Sequence, residues 1–187
     1  MNHRPCILIV DDEPFNRDYL EQELSDSEYE LLSAVNGQEA LEKMRSSSPD
    51  LVLLDIMMPI MDGFSVLDEA KSDSTIRDIP IIVISATSDL KSVVKGIQKG
   101  AEDYLPKPFE PTILHARISA SLERKRLRDQ EQLYLQSLEN ELNIARNIQK
   151  EFLPKEIAQQ RIGRERKPLG PPAKPGKSAE PAKGNKR

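Results

Sequence analysis

Three aspartates and one lysine stand where short apolar runs end: Asp11 and Asp12 after Cys6-Ile-Leu-Ile-Val10, Asp55 after Leu51-Val-Leu-Leu54, and Lys107 after Asp103-Tyr-Leu105. Continuous runs of this kind, rich in β-branched residues, read as buried parallel strands. Ligands of open α/β sheets bind beyond the carboxyl ends of such strands, so all four side chains have one crevice available to them. If the first and third runs are neighbours, Asp11, Asp12 and Asp55 lie within a few ångströms of one another. Their mutual repulsion then calls for a cation. Three carboxylates facing one ammonium group suit a hard divalent ion and a phosphoryl group, and Mg²⁺ is the natural ion. It prefers oxygen ligands, and it binds through one or two carboxylates together with phosphate oxygens.

The elements that must hold these residues follow from the pattern between them. Pro14, just after the Asp-Asp-Glu turn, suits the first turn of a helix running through Leu24. Tyr29 to Val35 reads as a weaker strand, Asn36-Gly37 as the turn into a helix over Gln38 to Arg45, and a third helix begins near Gly63. Ile81 to Ile84 ends at Ser85, Leu90 to Lys99 forms a helix stopped by Gly100, and the short fifth strand precedes Lys107-Pro108. Parallel neighbours need long right-handed crossovers. The predicted fold is therefore α/β, a five-stranded parallel sheet with helices on both faces.

Composition bounds the rest. A chain of 187 residues holds one ordinary domain and an additional piece. Its single cysteine, Cys6, excludes an internal disulfide. No N-terminal stretch has the order of a signal peptide, and no apolar run approaches the roughly 18 residues of a spanning helix, so a cytoplasmic protein is expected. Residues 158–187 hold nine Lys/Arg and two Glu, net +7, which leaves 18 basic against 29 acidic residues before them, net −11. With five prolines, four glycines and few large apolar residues, that tail lacks the surface for a core and reads as disordered. Its charge suits a solubilising tail. Nucleic-acid binding is disfavoured, because no aromatic residue there offers a stacking platform.

Taken together and in order, Asp11-Asp12, Asp55-Ile-Met-Met-Pro59 with Asp62-Gly63, Ser85-Ala86 and Lys107-Pro108-Phe109 resemble a response-regulator receiver domain over about Cys6 to Leu122. Each motif alone is the kind of short match that caps and turns also produce. The resemblance implies strand order 2-1-3-4-5. It makes Asp55 the phosphoacceptor, with Asp12, Asp55 and the backbone carbonyl of Met57 on Mg²⁺ and Asp11 acting through water. It also makes Lys107 the counter-charge, with a cis Lys107-Pro108 bond. Ser85 and Tyr104 become the coupled switch, while Met57 and Thr87 flank the phosphoryl group. A sensor histidine kinase or phosphotransfer protein is the implied donor. Ile60 departs from the family, which often has glycine there, and is expected to alter only the shape of the loop.

From Pro111 the last helix has no glycine or proline through Leu153. Leu135, Leu138, Leu142, Ala145, Gln149 and Phe152 follow the 3,4 spacing of a coiled-coil seam. A parallel homodimer through this helix is expected. The domains read as receiver 1–122, helical linker 123–157 and basic tail 158–187. Glu141 to Pro154 is similar to the helical linker that precedes serine phosphatase domains of receiver-coupled regulators. No acidic metal motif follows Pro154, so phosphatase activity is not expected. A phosphatase of the haloacid-dehalogenase type is opposed by Met57, where that family has a second aspartate. Two alternatives stay open: a dimerising adaptor that needs no phosphorylation, and a truncated regulator of a serine phosphatase.

Overall fold

The structure is a computed structural model that describes residues 4–25, 29–86 and 90–152, with side chains described through residue 149. Strands and helices alternate along the chain: β1 (Cys6–Val10), α1 (Pro14–Ser25), β2 (Glu30–Ala34), α2 (Gly37–Ser47), β3 (Leu51–Leu54), α3 (Gly63–Ser72), β4 (Ile81–Ser85), α4 (Leu90–Gln98), β5 (Asp103–Pro106) and α5 (Pro111–Phe152). The five strands form one parallel sheet in the order β2-β1-β3-β4-β5. This matches the expected α/β architecture and order.

Successive side chains of a strand point to opposite faces, and this period of two divides the core. Ile7, Ile9, Leu51, Leu53, Ile82, Ile84 and Leu105 pack with Leu20 and Leu24 of α1 and Leu114 and Ile118 of α5. Leu8, Val10, Val52, Leu54, Ile81 and Val83 pack with Leu41 and Met44 of α2, Val66 and Leu67 of α3, and Tyr104. Fully burying one such aliphatic side chain is worth roughly 1.5–3 kcal/mol, whereas exposed ion pairs contribute about 0–1 kcal/mol. The two apolar layers therefore hold the fold, and the surface charges adjust it.

Local signals set the helix ends. Asn36 caps α2, accepting from the Glu39 amide at 3.0 Å, and Asp62 caps α3, accepting from the Ser65 amide at 2.7 Å. Pro111 opens α5 at the position where a missing N–H costs nothing. Leu114, Ile118 and Ser121 are buried, Leu122 packs at the edge of the core, and the larger apolar side chains from Leu127 onward are exposed. The chain divides into two compact units, Met1–Ser137 and Leu138–Arg187. In the second, Leu138, Leu142, Ile144 and Ile148 lie exposed on helix. The side chain of Phe152 and the basic tail lie outside the described residues. Among the described residues no helix is long and apolar enough to cross a membrane.

Candidate functional site

Strand register brings the site together. Val10 pairs with Leu54, so Asp11 and Asp55 leave neighbouring strands side by side, and the Asp55 amide donates to the Val10 carbonyl at 2.8 Å. Ser85 pairs with Pro106, and the Lys107 amide donates to the Ser85 carbonyl at 2.8 Å. Four strand ends that lie far apart in sequence thus converge on one rim of the sheet.

The Lys107 ammonium sits between two carboxylates, donating to Asp11 Oδ2 at 2.7 Å and to Asp55 Oδ1 at 2.9 Å. Both acids are buried, at 2% and 7% exposure, which makes these bonds far stronger than surface pairs. The second Asp55 oxygen accepts from the Met57 amide at 2.6 Å. The second Asp11 oxygen accepts from the Glu13 amide and the Asn16 side chain, each at 3.0 Å. Arg17 donates to the backbone carbonyls of Asp11 and Asp12, at 2.8 and 3.0 Å. Burial pushes the Asp55 carboxyl up from its ordinary value, and the Lys107 hydrogen bond offsets this only in part. Burial opposes the charge on Lys107, but its bonds to Asp11 and Asp55 outweigh that and raise its pKa.

The three expected carboxylates do not have the same surroundings. Asp11 and Asp55 share Lys107, whereas Asp12 is half-exposed and faces an open depression of about 590 Å³, lined also by Met57, Met58, Asp62 and Phe64. Among the described residues, no three acidic, histidine or cysteine side chains are gathered closely enough to form a preassembled metal cage. The Lys107 ammonium takes one oxygen from each buried acid and screens their repulsion. The donor set still fits a hard divalent cation. Three carboxylates against one ammonium leave two negative charges, and the Asp12 carboxylate accepts no hydrogen bond among the described residues.

Around these groups the other expected residues have definite places. Ser85 is fully buried at the end of β4. Tyr104 is 6% exposed, its ring against the position where a Cβ on Gly96 would lie 3.3 Å away. The Met57 side chain is exposed, which leaves its backbone as the part close to the acids. Lys107-Pro108 is cis. Thr87 lies outside the described residues. Gly63 permits the loop after β3 to fold back, since any Cβ there would strike the Asp55 backbone carbonyl. Ile60 adopts φ 71° in a turn closed by the Met61 amide and the Pro59 carbonyl at 2.8 Å. A β-branched residue is strained there, and glycine is not.

Asn16 and Arg17 are functional neighbours that the strand-end motifs do not reveal. Their signal is positional: they sit five and six residues beyond Asp11, on the first turns of the helix that leaves the crevice.

The family profile of the response regulator receiver domain matches residues 7–119. The chain belongs to the response regulator receiver family. This receiver is 44% identical over 118 residues to ycf27, a probable transcriptional regulator of Porphyridium aerugineum, an overlap of 63% of this chain and 48% of that protein. It is 43% identical over 125 residues to the response regulator MprA of Mycobacterium ulcerans, 67% of this chain and 53% of that one. The matches span about half the length of these relatives. Among solved structures, the CheY-like receiver of Methanospirillum hungatei superposes with a TM-score of 0.63 at 28% identity, over 67% of this chain and 99% of that one. The receiver domain of the Francisella response regulator 1452 gives 0.61 at 27% identity, over 65% and 98%. Family and geometry agree on a response-regulator receiver domain.

Proposed function

We propose that this protein is a phosphorylation-dependent switch whose Asp55 accepts a phosphoryl group from a sensor histidine kinase or a phosphotransfer protein. The observation that carries this reading is the single ammonium of Lys107 bridging the buried Asp11 and Asp55 at the carboxyl ends of β1 and β3. Asp55 is the nucleophile. One carboxylate oxygen attacks phosphorus as the donor histidine leaves, and the Met57 amide and Lys107 fix the orientation of the carboxylate. Asp11, itself held by Asn16 and the Glu13 amide, positions Lys107, whose charge meets that of the phosphoryl oxygens.

Asp12, Asp55 and the Met57 carbonyl would hold Mg²⁺, with Asp11 acting through water. When bound, the ion supplies the second positive charge that phosphoryl transfer requires. Burial pushes the Asp55 carboxyl up, and a cation beside it would favour the ionised nucleophile.

Ser85 at the end of β4 donates its hydroxyl to the new phosphoryl group, and the Tyr104 ring moves into the space that this vacates. The signal leaves through α5, whose exposed Leu135, Leu138 and Leu142, continued by Ala145, Gln149 and Phe152, pair with a second copy. The protein acts in the cytoplasm, with this receiver as the phosphoacceptor. A dimerising adaptor that needs no phosphorylation would use the same helical face but take up no phosphoryl group.

The test is incubation with acetyl phosphate with and without Mg²⁺, followed by labelling and sizing of the full chain. Mg²⁺-dependent labelling with a change in assembly is expected. Absence of labelling would overturn the reading.

A further inference from the structure

Among the described residues the last helix makes no further apolar packing on the sheet beyond Leu122, yet its next two turns are attached to the receiver. The attachment is made of charge. One oxygen of Glu102 accepts from Ser121 Oγ at 2.6 Å and from Arg124 Nε at 2.8 Å, and the other accepts from Arg128 Nη2 at 3.1 Å. These three donors follow one another at steps of three and four, so they occupy one face of α5. On another flank of the same turns, Lys125 reaches Asp50 at 3.4 Å and Asp129 at 2.6 Å. Asp50 is itself anchored, accepting from the Cys6 amide at 2.9 Å. The helix is therefore gripped from two sides by acids carried on loops at the amino-terminal edge of the sheet.

Glu102 is well placed to sense the receiver. Its amide donates to the Ile81 carbonyl at the start of β4, and the preceding Ala101 amide donates to the Gly96 carbonyl of α4, each within 3.0 Å. Two residues further on stands Tyr104, whose ring packs against that same Gly96. Glu102 thus stands at the junction of α4, β4 and β5. The side chain of Glu102 is only 16% exposed, so its charge cannot simply be returned to water when the arginines move.

We propose that Glu102 and Asp50 form an electrostatic clasp that orders residues 123–129 of α5 on the receiver, and that Glu102 is the contact through which movement of β5 reaches the helical extension. The clasp stands on its geometry alone, while its response to phosphorylation rests on Asp55 being the phosphoacceptor. The two are separable by experiment.

The test is amide hydrogen exchange of the full chain, comparing wild type with Glu102→Gln and with the double variant Arg124→Gln/Arg128→Gln, before and after acetyl phosphate and Mg²⁺. None of these residues touches the phosphoacceptor site, so labelling of Asp55 stays at the wild-type level. In the unphosphorylated state both variants are expected to exchange residues 123–129 faster by roughly tenfold, the factor that corresponds to about 1.4 kcal/mol in an opening equilibrium. On phosphorylation wild type changes its protection in 123–129 and the variants do not. Unaltered exchange in Glu102→Gln and in the double variant would overturn the clasp. An equal phosphorylation response in wild type and variants would overturn the role of Glu102 in transmission. Wild type that takes up no phosphoryl group contradicts the functional reading and leaves the unphosphorylated comparison to decide the clasp.

Discussion

The Lys107 ammonium lies 2.9 Å from Asp55 Oδ1, although 52 residues separate the two in the chain. Parallel pairing of β1 with β3, β3 with β4 and β4 with β5 closes that distance, so the charge pair reports directly on sheet topology. Its strength reflects burial, and its purpose is visible in what it opposes. Without Lys107 two buried acids would repel across the ends of β1 and β3.

Burial leaves the Asp55 carboxylate less favourable in the fold than in the open chain, since its carboxyl is held above the ordinary value. A neutral side chain of the same shape escapes that penalty. Asp55→Asn is therefore expected to melt a few degrees higher than wild type at neutral pH in chelator. Thermal unfolding followed by circular dichroism checks this. A lower melting temperature would mean that the Lys107 pair outweighs burial.

Mg²⁺ reverses the order. A ligand that binds only the folded state stabilises it by an amount set by its concentration over its dissociation constant, about 2.7 kcal/mol at a hundredfold excess. Titration should raise the melting temperature of wild type. Asp12→Asn should respond much less, because it removes the acid that accepts no side-chain hydrogen bond among the described residues. Equal shifts in the two proteins would move the ion elsewhere.

Gly63 is required by the close passage of the Asp55 carbonyl, against which any Cβ would collide. Backbone yields less easily than a side chain, so Gly63→Ala is expected to cost about 1–3 kcal/mol, as overpacking does elsewhere. Urea denaturation measures the loss. Because the collision falls on Asp55, the proposed phosphoacceptor, phosphoryl uptake should drop as well.

Glu102 gives a pH signature. Burial raises its carboxyl, but the bonds from Ser121, Arg124 and Arg128 outweigh burial and hold it below the ordinary 4.5. A depressed acid contributes stability above its unfolded pKa and loses it as pH falls through the folded value. The stability gap between wild type and Glu102→Gln should thus be full at pH 7 and close progressively below 4.5. A gap that persists in acid would assign the effect to packing.

Much of this was legible in the residues. Buried strands announced themselves as Ile-Leu-Ile-Val and Leu-Val-Leu-Leu, Asn36-Gly37 and Gly63 marked helix starts, and the acids and lysine stood at strand ends because only there can polar groups leave a buried sheet. Element ends moved by one or two residues, as at α2, whose last turn runs on to Ser47. The side to which Asp12 turns was not legible, because strand alternation lapses once the chain leaves the sheet and loop geometry takes over. Nor was the grip on α5. Glu102, Arg124 and Arg128 look in sequence like ordinary surface charges, and only the fold brings one carboxylate to all three donors.

The central claim is that Asp55 receives phosphorus. Intact-mass measurement of wild type and Asp55→Asn after acetyl phosphate and Mg²⁺ tests it most directly. Wild type is expected to gain one phosphoryl group and the variant none. Equal addition to both proteins would contradict it.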